Sequence, residues 1–179
     1  DKIGVTKRES LISHLLLEES LREDLNKKSR RLMGVMDPIK LTIKNWSSGT
    51  EWVDIDNNPE DPSMGTRSVP FSGNLYIESD DFRKEANSKY HRLKLGGEVR
   101  LKGSYIIKAV DLVELDGRVI EVICEYDPNT KSGEGEARKV KGTIHWVSCD
   151  HSLERKVNNY DVLFNHPNPD GPDRDFMDY

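Results

Sequence analysis

The chain's clearest chemical signal is a run of cations interleaved with an aromatic ring. Lys89-Tyr90-His91-Arg92-Leu93-Lys94 stands just ahead of Glu98-Val99-Arg100-Leu101-Lys102. Lysine and arginine contact phosphates, a planar guanidinium bonds base edges as a fork, and rings stack on splayed bases. If 98–102 is a strand, Arg100 and Lys102 share one face, two residues apart. The chemistry on offer is binding of single-stranded RNA. Such patches also occur on proteins that never meet RNA, so a β-domain for protein interaction, with its basic faces merely solvated, stands as the other reading.

Net charge alone points away from a polyanion: 27 Lys and Arg against 32 Asp and Glu leave −5 at neutral pH. The charge is segregated, however. Lys27, Lys28, Arg30 and Arg31 form one basic window, and Arg83, Lys84, Lys89, Arg92, Lys94, Arg100 and Lys102 form another. Acidic stretches alternate with them, at Asp54, Asp56, Glu60 and Asp61 and again from Asp111 to Asp127. Segregation of this kind gives a signed face whatever the total.

Residue patterns that would carry catalysis are missing from the sequence. Asp150-His151-Ser152 has the residue types of a triad, but consecutive side chains cannot line up as nucleophile, base and orienter. His14, His91, His145, His151 and His166 lack paired metal-ligand spacing, and no phosphate-cradling or dinucleotide-binding glycine motif occurs. His145, in an alternating apolar stretch, reads as a satisfied core or rim residue. Cys124 and Cys149 stand alone, outside any CxxC pair, and read as reduced thiols of a cytosolic protein. No stretch reaches the roughly 20 apolar residues of a membrane span. The first residues, Asp1 to Val5, lack an initiator Met and signal-peptide composition, as expected of an excised piece.

The elements that must position these groups follow from hydrophobic period. A length of 179 residues suits one domain, or one domain plus part of another. Thr6 and Glu9 have capping-box spacing for a first helix. Leu11 with Leu15, Ile12 with Leu16, and Leu17, Leu21 and Leu25 make apolar rows over more than half its circumference. That predicts a helix packed on two sides or two short helices with a break, the interrupting charges at 18, 19, 22 and 23 favouring the break. The basic run after Asn26 ends it. Beyond Pro38 the period becomes two, which predicts strands at 39–43, about 51–55, around Leu75 and Ile77, over 99–107, at 110–115, 119–126 and 140–148. Asp116-Gly117 between two apolar runs predicts a tight type I′ hairpin. Many short strands with turns between them mean an all-β barrel or sandwich.

Six segments, in order, resemble glutaminyl-tRNA synthetases: Arg22–Asn26, Asp37–Leu41, Val69–Gly73, Glu98–Leu101, Lys139–Ser148 and Tyr160–Phe164. The most specific is Lys-Val-Lys-Gly-x-Ile-His-Trp-Val-Ser. Archaeal and eukaryotic-type glutamyl-tRNA synthetases share this barrel architecture and are the nearest alternative. The resemblance implies a mainly β fold, the proximal anticodon-binding β-barrel, preceded by an α-helical segment. Residues 1–33 would end the helical connecting subdomain, 34–157 would form the barrel, and 158–179 would lead toward a distal barrel. It implies recognition of the glutamine tRNA anticodon loop inside an ATP- and Mg-dependent glutamine–tRNA ligase of the cytoplasm, the ATP-binding signatures lying outside this chain. No cofactor, membrane or DNA partner is expected here, and the open edges of an incomplete barrel predict pairing between copies or a disordered tail after about Asn165. By position, Arg31 matches an arginine for the central anticodon base, Arg92 one for the third base, and Arg100 one near the first. Lys89, His91 and Lys102 fall on family positions with other polar or basic residues, and Asn26 on an asparagine near the anticodon stem.

Overall fold

The alternation beginning at Pro38 becomes a strand because its odd positions find a core: Ile39, Leu41 and Ile43 are buried while Lys40 and Thr42 are not. The computed structural model describes residues 4, 5, 7, 12–134, 138–164, 166 and 171. It divides into a unit formed by Arg30–Leu153 and a second drawn from the residues before and after it.

In the second unit the described helix is α1 (His14–Lys28). Ser13 caps it, its hydroxyl accepting from the Leu15 amide at 3.3 Å, and Lys27 and Lys28 lie in the last turn, where cations suit the helix dipole. The Thr6–Glu9 capping box lies outside the described residues. The break and the two-sided packing are not found. From His14 on there is one unbroken helix, and it buries no residue. Leucine rows report only that apolar faces exist; whether anything covers them is a tertiary matter.

The larger unit carries β1 (Pro38–Ile43), β2 (Glu51–Asp56), β3 (Thr66–Phe71), β4 (Asn74–Glu78), β5 (Phe82–Arg83), β6 (Leu93–Lys94), β7 (Glu98–Leu101), β8 (Ile106–Leu115), β9 (Arg118–Asp127), β10 (Thr143–Ile144) and β11 (Val147–Ser148). Seven of these form one mixed sheet in the order β10-β7-β8-β9-β1-β4-β11, curled into a half-barrel. β2 and β3 form an antiparallel ribbon, and β5 and β6 a short parallel pair. The β8–β9 hairpin turns as expected: Asp116 and Gly117 have φ of +50° and +77°, the two left-handed residues of a type I′ turn.

Two expected strands are each divided. The 99–107 run breaks between β7 and β8 because Gly103, at φ +71°, turns the chain there, with the Ser104 amide bonded to the Leu101 carbonyl at 2.8 Å. The 140–148 run is two short pieces pairing with opposite ends of the sheet: β10 beside β7, β11 beside β4. This segment thus bridges the two edges of the curled sheet. Its kink turns Trp146 inward, fully buried, with its indole N–H donating to the Lys102 carbonyl at 3.0 Å. Trp146 meets Phe71 edge to face at 5.1 Å, and Phe71, Tyr105, Trp46 and Tyr126 continue the aromatic cluster. Such contacts add roughly 0.5–1.5 kcal/mol each beyond area burial. β3, β5 and β6 escape periodicity: β3 contains Pro70, and the other two are two residues long.

Candidate RNA interface

Between β5 and β6 the chain makes a loop, 84–92, whose shape begins with an asparagine turn. The Asn87 side chain accepts from the Lys89 amide at 3.0 Å and its carbonyl from the Tyr90 amide at 3.2 Å. Tyr90 then anchors the loop, donating its hydroxyl hydrogen to the Asp80 carbonyl at 3.0 Å while the Arg83 guanidinium lies 4.7 Å from its ring centre. Burial pushes the Tyr90 phenol up from its ordinary value.

From the other side, the loop is fixed by Gly142. A Cβ placed there would sit 1.7 Å from the His91 carbonyl oxygen, so only glycine lets the 139–148 segment pass this close. Gly142 also accepts from the Arg100 amide at 2.9 Å, tying the crossing segment to β7. The result is a shallow pocket of about 350 Å³ lined by Asp80, Arg83, Lys89, Tyr90, His91 and Arg92. Lys89 and His91 are exposed, and neither side chain has a hydrogen-bond or ion-pair partner among the described residues. Arg92 is 55 % exposed in its side chain, its Nη1 3.0 Å from the carboxylate of nearly buried Asp81. The pocket can hold an anionic or edge-bonding group with up to three cationic side chains and a ring anchor.

The remaining expected residues are placed elsewhere. Arg31 lies outside the pocket lining, its guanidinium 2.8 Å from Glu60 and its amide bonded to the Asn57 carbonyl at 2.7 Å. Asn58 accepts from the Glu60 amide at 3.0 Å and so sets this turn. Arg100 is half-buried, and its donors face inward: Nη1 serves the Ser104 and Thr130 carbonyls at 2.9 and 2.6 Å and the Ser132 hydroxyl at 3.1 Å, Nη2 the Arg138 carbonyl at 3.3 Å. In this geometry it clamps Thr130, Ser132 and Arg138 to the Gly103 turn. Arg138 itself grips Glu98 bidentately at 2.7 and 2.8 Å, and that hydrogen bonding lowers the Glu98 carboxyl. Lys102 follows the last residue of β7, in the Gly103 turn, so it does not share a strand face with Arg100. Asn26 belongs to the other unit, half-buried in the last turn of α1.

Asp80 and Asp81 were not singled out in the sequence, and Arg83 was read only as a member of the second basic window, not as part of a site. Arg83 beside an aromatic-bearing basic loop was visible, but its stacking on Tyr90 required the loop to fold back. Asp81 is an acid in an acidic tripeptide, unremarkable until its burial is known. Within the second basic window Lys84 pairs with Glu114, and outside both windows Lys40 and Lys44 pair with Glu121 and Glu125 at 3.1 and 2.8 Å. The second acidic window therefore neutralises lysines across β1 and β9 and leaves the 89–92 loop cationic.

Known proteins resemble this chain along most of its length. The family model for the anticodon-binding domain of class I tRNA synthetases (E and Q) matches residues 29–127, and a second model of the same description matches 143–178. The glutamine–tRNA ligase of Rhodopirellula baltica is 56 % identical over 171 residues, covering 94 % of this chain and 28 % of that protein. The glutamine–tRNA ligase of Serratia proteamaculans is 47 % identical, over 94 % of this chain and 31 % of that protein, and that of Aliivibrio fischeri 48 %, over 96 % and 32 %. The chain thus spans about a third of the length of these relatives. The aromatic core and the cationic loop lie within matched residues, Gly142 falls between the two matches, and the chain belongs to the anticodon-binding domain family of the class I glutamyl- and glutaminyl-tRNA synthetases.

Proposed function

We propose that this chain reads the anticodon loop of a glutamine tRNA, as the RNA-binding part of a longer cytoplasmic protein that attaches glutamine to tRNA using ATP. The observation that carries the reading is the pocket in which Gly142 and Tyr90 hold Lys89, His91 and Arg92 outward. Unpaired loop bases can be splayed into such a pocket and read on their edges, which is how RNA sequence is usually recognised. Glutamine rather than glutamate is favoured by the names of the three relatives described above, each a glutamine–tRNA ligase. ATP and Mg would serve residues outside this chain, and none of the side chains described is assigned to hold them.

The test is titration of the chain with a glutamine anticodon stem-loop and with loops altered at each anticodon base, at two salt concentrations. Tighter binding of the unaltered loop at both salts supports the reading. Equal affinities, falling together with salt, would make this a non-specific cationic surface. Amino-acid-dependent pyrophosphate exchange, expected to be absent from the isolated chain, tests the non-catalytic assignment.

A further inference from the structure

Behind the pocket sits a carboxylate that base contact by itself does not explain. The Asp81 side chain is 6 % exposed, on a short helical turn, Ser79–Asp81, that leads directly into β5. One of its oxygens lies 3.0 Å from Arg92 Nη1, the other 4.0 Å from His145 Nδ1. The opposite ring nitrogen of His145 is 2.8 Å from the Gly34 carbonyl oxygen and 3.9 Å from Glu78. Glu78 in turn accepts from the amides of Met36 at 2.6 Å and Asp37 at 3.0 Å. A polar chain therefore runs from Arg92 to the backbone that follows Arg31. Burial drives the Asp81 carboxyl above its ordinary value, while Arg92 and His145 pull the other way. A charge kept in so unfavourable a place calls for a reason, since a buried ion pair replaced as a whole by neutral groups often leaves a fold no less stable.

We propose that Asp81 is a positioning residue for base reading: it holds Nη1 of Arg92 against the protein, sets the plane of the guanidinium fork toward the pocket, and ties it through His145 to the segment after Arg31. The proposal rests on the reading of Arg92 as a base contact. A fork can match a base edge only when its plane is fixed, whereas a phosphate accepts a cation in many orientations. Asp81 also offsets part of the arginine's charge. Removing it loosens the fork and leaves a stronger, less selective cation. Discrimination between RNAs then falls while affinity for the wrong RNA holds or rises. A purely structural role would weaken both RNAs together.

The experiment titrates wild type, Asp81→Asn, Asp81→Glu, Arg92→Ala and the Asp81→Asn/Arg92→Ala double variant with the glutamine anticodon stem-loop and its third-base variant. Relaxation of the Arg92 side-chain N–H, measured by NMR without RNA, accompanies it. Expected is a roughly tenfold smaller affinity ratio for Asp81→Asn, the size of one base contact, with the altered loop bound as well as before or better. Asp81→Glu, which restores the charge, should recover part of the ratio. In the Arg92→Ala background the asparagine should change the ratio no further, because both act through one group. The Arg92 side chain should become more mobile in Asp81→Asn. An unchanged ratio, an equal fall in the Arg92→Ala background, or an Arg92 as ordered as before would each overturn the proposal. A wild type that does not discriminate would remove the anticodon reading and this inference with it. A discriminating wild type with an indifferent asparagine variant would remove the inference alone.

Discussion

At the scale of single residues, Arg92 and Asp81 pull stability and recognition in different directions. Arg92→Ala should weaken binding of the glutamine loop by about 1–3 kcal/mol, by analogy with bidentate base contacts in duplex DNA, and hardly affect a loop with the third base changed. Loss of a phosphate contact would instead weaken both loops and flatten the salt slope by about 0.7 log units. Two-salt titration separates the outcomes. The paired carboxylate behaves oppositely with respect to folding. Asp81's pKa is raised in the folded protein, chiefly by burial, so the folded state holds that proton more tightly than the unfolded chain. Its stabilising contribution is present below the ordinary aspartate value, roughly pH 4, and is lost as pH rises through the raised folded value. Asp81→Asn should therefore match wild type in acid and become the more stable protein toward neutral pH. Urea midpoints measured across that range check this; a variant less stable at neutral pH would show that the Arg92 pairing outweighs the cost of burial.

At the scale of elements, the pocket depends on one close crossing and one clamp. Gly142→Ala places a methyl 1.7 Å from the His91 carbonyl oxygen, so either the 139–148 segment or the 84–92 loop must move. The expected cost is on the order of 1–3 kcal/mol in stability, the range for an overpacked site. Base discrimination should also fall, although no candidate RNA-contacting side chain has changed. Denaturant unfolding and the paired titrations measure the two effects, and discrimination that survives would show the loop to be set by Tyr90 and Arg83 alone. Arg100→Ala removes a guanidinium that serves four acceptors. Its loss should destabilise by about 1–3 kcal/mol, because partly buried carbonyls lose their donors. Faster amide exchange across 128–134, with the RNA ratio unchanged, would mark Arg100 as a clamp. A changed preference at the first anticodon base would return it to the reading surface. The division of β7 from β8 and of β10 from β11 was hidden from periodicity for the same reason in each case. Alternation continues across Gly103 and across Trp146, but pairing does not.

At the scale of the whole molecule, the sheet is open in its hydrogen bonding yet bridged by its chain. Both edge strands, β10 and β11, are two residues long and joined through His145-Trp146. Short edges offer few free amides and carbonyls to a second copy. Association of this chain through its edges is accordingly expected to be weak: sedimentation velocity should show a monomer at micromolar concentration, with larger species appearing only well above it. A tight dimer at low concentration would mean that another surface, or the residues past Phe164, provides the contact.

Local sequence was enough for the strands of β1, β2, β4 and the β8–β9 hairpin, for the type I′ turn, and for a cationic loop with an embedded tyrosine. Each of these rests on periodicity, turn chemistry or residue type, properties that act over a few neighbouring residues. The resemblance added the barrel and Arg92 as a candidate reader. Only the tertiary structure decided which cations are available. Arg100 and Arg92 are both arginines of one basic window, yet the first is spent on three carbonyls and a hydroxyl and the second lines a pocket. It also decided that none of the leucines of α1 is buried, that Gly142 must be glycine because the His91 carbonyl, about fifty residues earlier, lies against it, and that Asp81 is buried behind Arg92. The physical reason is common to all four. A side chain's charge, size and donors are written at its own position, but what it is spent on is determined by groups that folding brings to it from far along the chain.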